Sequence, residues 1–128
     1  MKKLLTILCL VLLVSCSNEI PFDELVYRNG LYYEVNSTTP FTGSSVSYYE
    51  NGKLKEKDNF KNGTTDGHQE SFFENGQLQF RRNDKNGKED GLFEIYFENG
   101  QLEYKGNYKD GKQDGLWERY DENGEDIS

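Results

Sequence analysis

Apolar and polar residues alternate in short stretches along nearly the whole chain. From Gly91 to Lys105 the order is Gly-Leu-Phe-Glu-Ile-Tyr-Phe-Glu-Asn-Gly-Gln-Leu-Glu-Tyr-Lys. In an extended strand, residues two apart share a face. Phe93, Ile95, Phe97, Leu102 and Tyr104 therefore fall on one side, and Glu94, Tyr96, Glu98, Gln101, Glu103 and Lys105 on the other. Asn-Gly between two alternating segments is a strong hairpin signal, because a type I′ turn needs positive φ at both central residues. The pattern predicts a type I′ turn at Asn99-Gly100, with Phe97 facing Leu102, Ile95 facing Tyr104 and Glu94 facing Lys105. One unit earlier, Glu70 faces Arg81 in the same way. A second turn, around Asn86-Gly87 or Asp110-Gly111, returns the chain to the next hairpin.

The unit repeats. Gly43, Gly67, Gly91 and Gly115 are each 24 residues apart, as are Gly52, Gly76, Gly100 and Gly124, and Gly63, Gly87 and Gly111. Glu-Asn-Gly recurs at 50–52, 74–76, 98–100 and 122–124, Leu at 54, 78 and 102, and Asp at 66, 90 and 114. Residues 25–42 read as a degenerate earlier unit. One hairpin alone is marginal, but identical neighbours at fixed spacing can stack and share aromatic surface. The expected fold is all-β: tandem 24-residue β-hairpin repeats forming a single elongated antiparallel meander sheet, preceded by a signal helix. Asp121 stands where other units have Tyr49, Phe73 and Phe97, which suits a terminal cap.

The N-terminus follows another rule. Met1-Lys2-Lys3 is followed by an apolar run from Leu4 to Val14, interrupted by Thr6, then Ser15 and Cys16. This is the layout of a secretory signal. The run is too short to span a bilayer, which needs roughly 20 residues. Leu13-Val14-Ser15-Cys16 resembles the lipobox of bacterial lipoproteins. That resemblance implies cleavage before Cys16, lipid attachment to its thiol, and residence in the cell envelope, on the outer membrane if the cell is Gram-negative. The expected organisation is a signal peptide over 1–15, a linker over 16–24 and a repeat domain over 25–128. Cys9 leaves with the signal and Cys16 is acylated, so no thiol pair remains for a disulfide.

Composition narrows the function. The 128-residue chain has 15 Lys and Arg against 23 Asp and Glu, a net charge of −8 that becomes −10 once Lys2 and Lys3 are removed. A nucleic-acid footprint needs clustered positive charge, so that class is set aside. Past residue 16 no apolar run exceeds three residues, which rules out a helical transmembrane bundle. Aliphatic residues are too few for an ordinary two-layer core, and aromatic residues too many for a disordered chain.

The segments Tyr-Tyr-Glu-Asn-Gly-Lys-Leu (48–54), Phe-Phe-Glu-Asn-Gly-Gln-Leu (72–78) and Tyr-Phe-Glu-Asn-Gly-Gln-Leu (96–102), each followed by Asn-Gly or Asp-Gly, resemble the bacterial MORN-variant repeat. Proteins of this kind are often labelled YwqK-like antitoxins. The resemblance covers about residues 25–124. It implies a repeat module that binds a protein partner, a toxin in the antitoxin case. Some relatives carry a phosphatidylinositol-phosphate kinase label, but this chain has no Gly-rich phosphate loop with a catalytic Lys and Asp set.

Candidate chemistry is sparse, and no catalytic residue, metal ligand or cofactor is expected. His68 sits where other units have Ser44, Leu92 and Leu116, and reads as a drifted strand position without zinc-binding partners. Asp84 to Asp90 has Lys88 where a calcium loop needs an oxygen ligand, and reads as a turn. Glu50, Glu74, Glu98 and Glu122 form a spaced row, not a converging acid–base pair. The candidate partner-binding residues are the aromatic row Tyr48, Phe72, Tyr96 and Tyr120, placed on the more polar face. The expected function is a membrane-anchored, protein-binding repeat lipoprotein of the toxin-neutralising kind. A carbohydrate-binding envelope protein and a ligand-free structural spacer are the rival readings.

Overall fold

The computed structural model describes residues 18–128. The expected signal helix, the lipobox residues Leu13, Val14 and Ser15, and Cys16 lie outside the described residues. Among the described residues, no helix is long and apolar enough to cross a membrane.

The chain forms strands β1 (Glu19–Pro21), β2 (Leu25–Arg28), β3 (Leu31–Glu34), β4 (Gly43–Tyr48), β5 (Leu54–Lys61), β6 (Thr64–Phe72), β7 (Leu78–Lys85), β8 (Lys88–Tyr96), β9 (Leu102–Lys109) and β10 (Lys112–Arg119), with a 3₁₀ turn at Phe22–Glu24. From β4 to β10 each strand pairs antiparallel with the next, so the 24-residue repeat is a meander of two strands per unit. The segment expected as a linker enters this sheet: β1 pairs parallel with β4, Ile20 opposite Ser45. Residues 25–42 do not extend the meander as an earlier unit. β2 and β3 form a separate two-stranded sheet, which folds over the start of the repeat.

Two kinds of turn alternate. At Asn62-Gly63, Asn86-Gly87 and Asp110-Gly111 both residues have positive φ (51° and 79° at Asn86-Gly87), as type I′ requires. The Glu-Asn-Gly turns differ from the expected type I′. Only the glycine has positive φ, 88° at Gly100, while Asn99 does not. The Gly100 N–H bonds to the Phe97 carbonyl, and the Phe97 N–H to that of Gln101. This is a three-residue loop, a type I turn ending in a left-handed glycine. The extra loop residue shifts the expected facing pairs: Tyr96, not Phe97, lies opposite Leu102. A bulge at Glu103 restores the expected register, with Ile95 opposite Tyr104 and Glu94 opposite Lys105. Lys55 and Gln79 are the bulged residues of the preceding units.

The turns are tied together along the array. The Asn51, Asn75 and Asn99 amides each donate to the backbone carbonyl of the glutamate one unit on (Glu74, Glu98 and Glu122), at 3.2, 3.1 and 3.0 Å. Each Asn also accepts the N–H two residues ahead, at 2.9 Å. In the last unit Asp121 takes over this role, accepting from the N–H groups of Asn123 and Glu125.

The buried apolar residues Phe41, Val46 and Phe60 lie at the N-terminal end. The β2–β3 hairpin docks there through Tyr32 N–H to Gly63 O, 2.8 Å, and Gly63 N–H in turn donates to Phe41 O in the segment after β3, 2.7 Å. The rings of Tyr27, Tyr32, Phe60 and Phe41 follow one another at centroid distances of 4.9, 5.0 and 5.7 Å. Nothing comparable among the described residues covers the sheet from β8 to β10.

Candidate functional site

Cross-strand register sorts the side chains into rows, and the rows define two unlike faces. On one face runs Lys57–Glu70–Arg81–Glu94–Lys105–Glu118, each residue opposite the next across successive strands. The charges alternate over six strands. Lys57 meets Glu19 at 2.9 Å, and Arg81 meets Glu70 at 2.7 Å. Opposite charges on facing strands each stabilise a sheet by a few tenths of a kcal/mol, up to about 1. The row Tyr48, Phe72, Tyr96 and Tyr120 lies on this face, two residues along from the ladder. Tyr48 is exposed; the other three are half-buried. Burial and the Glu94 carboxylate push the Tyr96 hydroxyl above its ordinary pKa. The Tyr120 hydroxyl is pushed up by its hydrogen bond to Glu118, 3.0 Å long.

The opposite face carries the row Ser45–Asp58–Gln69–Arg82–Phe93–Gly106. Its C-terminal half is aromatic. Phe93 lies 5.3 Å from Phe80, 5.5 Å from Tyr108 and 5.4 Å from Trp117, ring to ring. The Trp117 ring lies over Gly106, where a Cβ would collide with the indole. Beside this cluster Ile95 and Tyr104 are half-buried, with Arg119 opposite Tyr104.

The N-terminal half of the same face is polar and partly roofed. Phe22 and Tyr32 reach over it and close a cleft of about 330 Å³ on Asp58, Phe60, Phe80 and Arg82. Arg82 is committed to neighbours. Its Nη2 donates to Asp84 at 3.2 Å and its Nη1 to Glu89 at 3.5 Å. Its Nε stands 3.0 Å from the Asp84 carboxylate, but too poorly aligned for a hydrogen bond. Gln69, 2% exposed, is satisfied by the backbone of Asn59 and Gly67. Asp58 is not. Among the described residues it has neither a side-chain hydrogen bond nor an ion pair within 4 Å. Burial raises its pKa from 3.8 to about 6. Glu56 and Asp84 add to the rise, and Arg82 opposes it.

The MORN repeat variant family matches residues 41–62, 65–86, 89–110 and 113–125, together more than half of the chain. The chain belongs to the MORN repeat variant family. Each matched MORN segment starts 24 residues after the last, the spacing of the hairpins from β4 onward. β1, β2 and β3 lie before the first match. No curated protein and no solved structure gives a match.

The aromatic row singled out from the sequence and the cleft are therefore on opposite faces of the MORN sheet. The glutamates of the Glu-Asn-Gly turns are exposed, and the array uses their backbone carbonyls rather than their carboxylates. His68 is exposed on β6. Among the described residues, no three His, Cys, Asp or Glu side chains converge as a metal ion would need. Asp84, in the loop weighed for calcium, is 3% exposed and held by Arg82.

Sequence reasoning missed Asp58 and Arg82. A signal was present: positions 58, 82 and 106 are equivalent in three successive units, yet hold Asp, Arg and Gly.

Proposed function

We propose that this protein is a membrane-anchored MORN-variant lipoprotein that binds a protein partner on the uncovered face of its sheet. The observation that carries this reading is the half-buried apolar surface of Phe80, Phe93, Ile95 and Tyr104, which no second layer among the described residues covers at its C-terminal end. A contiguous apolar surface rimmed by charge is the usual mark of a protein interface. A meander whose strands are hydrogen-bonded and whose turns are tied together presents that surface with little ordering entropy left to lose. The net charge of −8 favours a basic partner and steers its approach. The anchor is the lipid on Cys16, read from the Leu13-Val14-Ser15-Cys16 motif. Several acyl chains hold a soluble domain on a membrane at about 0.8 kcal/mol per buried CH₂. The partner class in view is a toxin, neutralised by occlusion.

The test is capture from detergent-solubilised envelope with the full chain, in parallel with Ile95→Lys and Cys16→Ser. One protein should be recovered in excess at low salt and lost at high salt. Ile95→Lys should lose it, and Cys16→Ser should release the chain from the membrane fraction. Equal recovery by Ile95→Lys excludes this face. No partner at low salt excludes the binding reading, and membrane retention of Cys16→Ser excludes the anchor.

A further inference from the structure

The cleft roofed by Phe22 and Tyr32 combines three features. It is small, about 330 Å³, the lower end of the range for ligand sites. Its walls include the rings of Phe22, Tyr32, Phe60 and Phe80. Its floor holds a partly buried carboxylate, Asp58, with no counter-ion among the described residues. A carboxylate withdrawn from water is unfavourable unless a positive group meets it. Among the described residues lining the cleft the one cation is Arg82, and it is already shared between Asp84 and Glu89. Glu56, also in the lining, has no ion pair among the described residues either. The cleft therefore keeps an excess of negative charge, bounded by aromatic rings whose faces attract cations.

We propose that this cleft holds the side-chain ammonium of a lysine presented by the protein partner, with Asp58 as counter-ion and Phe80 and Tyr32 against the aliphatic stem. The inference rests on the partner-binding reading above and names what that partner offers. Lysine fits better than arginine. The cleft is small, about 330 Å³, and already holds the planar Arg82 guanidinium, and a compact ammonium asks less room there than a second guanidinium. The unbranched stem suits a narrow aromatic slot.

The groups around Asp58 set the pH response: Glu56 on its own strand, Glu70 on β6 (paired with Arg81 on the far face), Arg82 and Asp84 on β7, and Glu89 on β8. Because Asp58 loses its proton near pH 6, the ionised fraction rises about tenfold from pH 5 to pH 7.

The experiment is an NMR titration of the full chain with Nα-acetyl-lysine N-methylamide. The Nε-acetylated compound and the arginine analogue are run in parallel, and the variants Asp58→Asn and Phe80→Leu are tested alongside. Lysine-dependent shifts should centre on Asp58, Phe80 and Tyr32. Affinity should fall at least tenfold in Asp58→Asn and about tenfold from pH 7 to pH 5. The Nε-acetylated compound should not bind, and arginine should bind more weakly. Equal binding of the acetylated compound, shifts confined to other surfaces, or an unchanged affinity in a folded Asp58→Asn overturns the assignment. The comparison of lysine with its acetylated form needs no variant, so it decides even if a substitution unfolds the chain. Partner capture that persists while the lysine compound gives no shift overturns the cleft alone. Failure of capture overturns the reading beneath it.

Discussion

The side-chain amide of Asn75 donates to the backbone carbonyl of Glu98, 3.1 Å away in the next turn, while its oxygen accepts the N–H of Gln77 at 2.9 Å. One side chain thus shapes its own turn and fastens it to its neighbour. Asn75→Ala removes both bonds and should lower stability by about 1 kcal/mol in urea unfolding. Asn75→Asp keeps the acceptor and should lose about half as much. Asn123→Ala is the control. It stands at the same place in the last unit, where among the described residues its amide has no following turn to reach and Asp121 instead accepts the N–H two residues ahead, so it should be nearly neutral. An equal loss at Asn75 and Asn123 would show that the effect comes from the alanine itself and not from these two bonds.

Gly106 and Trp117 are coupled by close approach. A Cβ on Gly106 would overlap the indole, with the third-nearest ring atom at 2.6 Å. Gly106→Ala should destabilise by about 1–3 kcal/mol, the range for overpacking. It should also shift Trp117 fluorescence to longer wavelength as the ring is pushed outward. Trp117→Leu makes room, so in the double variant the alanine should lose most of its effect. A double-mutant cycle in urea measures this, and strict additivity would refute the coupling.

The period, the strand faces and the charge pairs Glu70–Arg81 and Glu94–Lys105 were legible because they depend on spacing and alternation alone. The turn type at Glu-Asn-Gly was not. Asn99-Gly100 and Asn86-Gly87 are the same dipeptide, yet only the second adopts positive φ at both residues. The difference lies in loop length, three residues between Phe97 and Gln101 against two between Lys85 and Lys88, and the dipeptide alone does not set it, since Asn123-Gly124 forms the three-residue loop as well. Folding back of the β2–β3 hairpin was hidden for a similar reason: it rests on Tyr32 and Phe41 meeting Gly63 across the chain. The cleft sits where the repeat stops repeating, at Asp58 and Arg82. A reading built on periodicity is least sensitive there.

The alternating ladder predicts a salt-dependent penalty for charge reversal. Arg81 lies opposite Glu70 on one side and Glu94 on the other. Arg81→Glu sets three carboxylates in a row and should cost about 1 kcal/mol at low salt. The loss should shrink in 1 M NaCl, where screening acts within about 3 Å. Adding Glu70→Arg to Arg81→Glu restores one opposite-charge pair but sets a cation opposite Lys57, so it should recover little of the loss. Thermal melts at two salt concentrations make the comparison, and a penalty equal at both would point to lost packing of the Arg81 stem rather than to charge.

Asp58 makes the fold itself sensitive to acid in an unusual direction. Most folded-state carboxylates are held below their ordinary pKa, so acid destabilises them. Asp58 is raised from 3.8 to about 6. Below 3.8 the group is protonated in both the folded and the unfolded chain and contributes no difference. Between 3.8 and about 6 the unfolded chain ionises first, so stability drains away as pH rises. Above about 6 the whole penalty is present. Asp58→Asn abolishes it, so the variant should be more stable than the parent at pH 7, with the gap closing towards pH 3.5. After allowance for the water the side chain still meets, that gap is about 1–2 kcal/mol. Urea unfolding of both chains at a series of pH values isolates the effect, because every other carboxylate is common to the two. A gap that stays constant with pH would mean that Asp58 ionises in the fold as it does in water. A lysine compound bound in the cleft should lessen the penalty in the parent at pH 7 and leave Asp58→Asn unchanged, which links the stability measurement to the binding one.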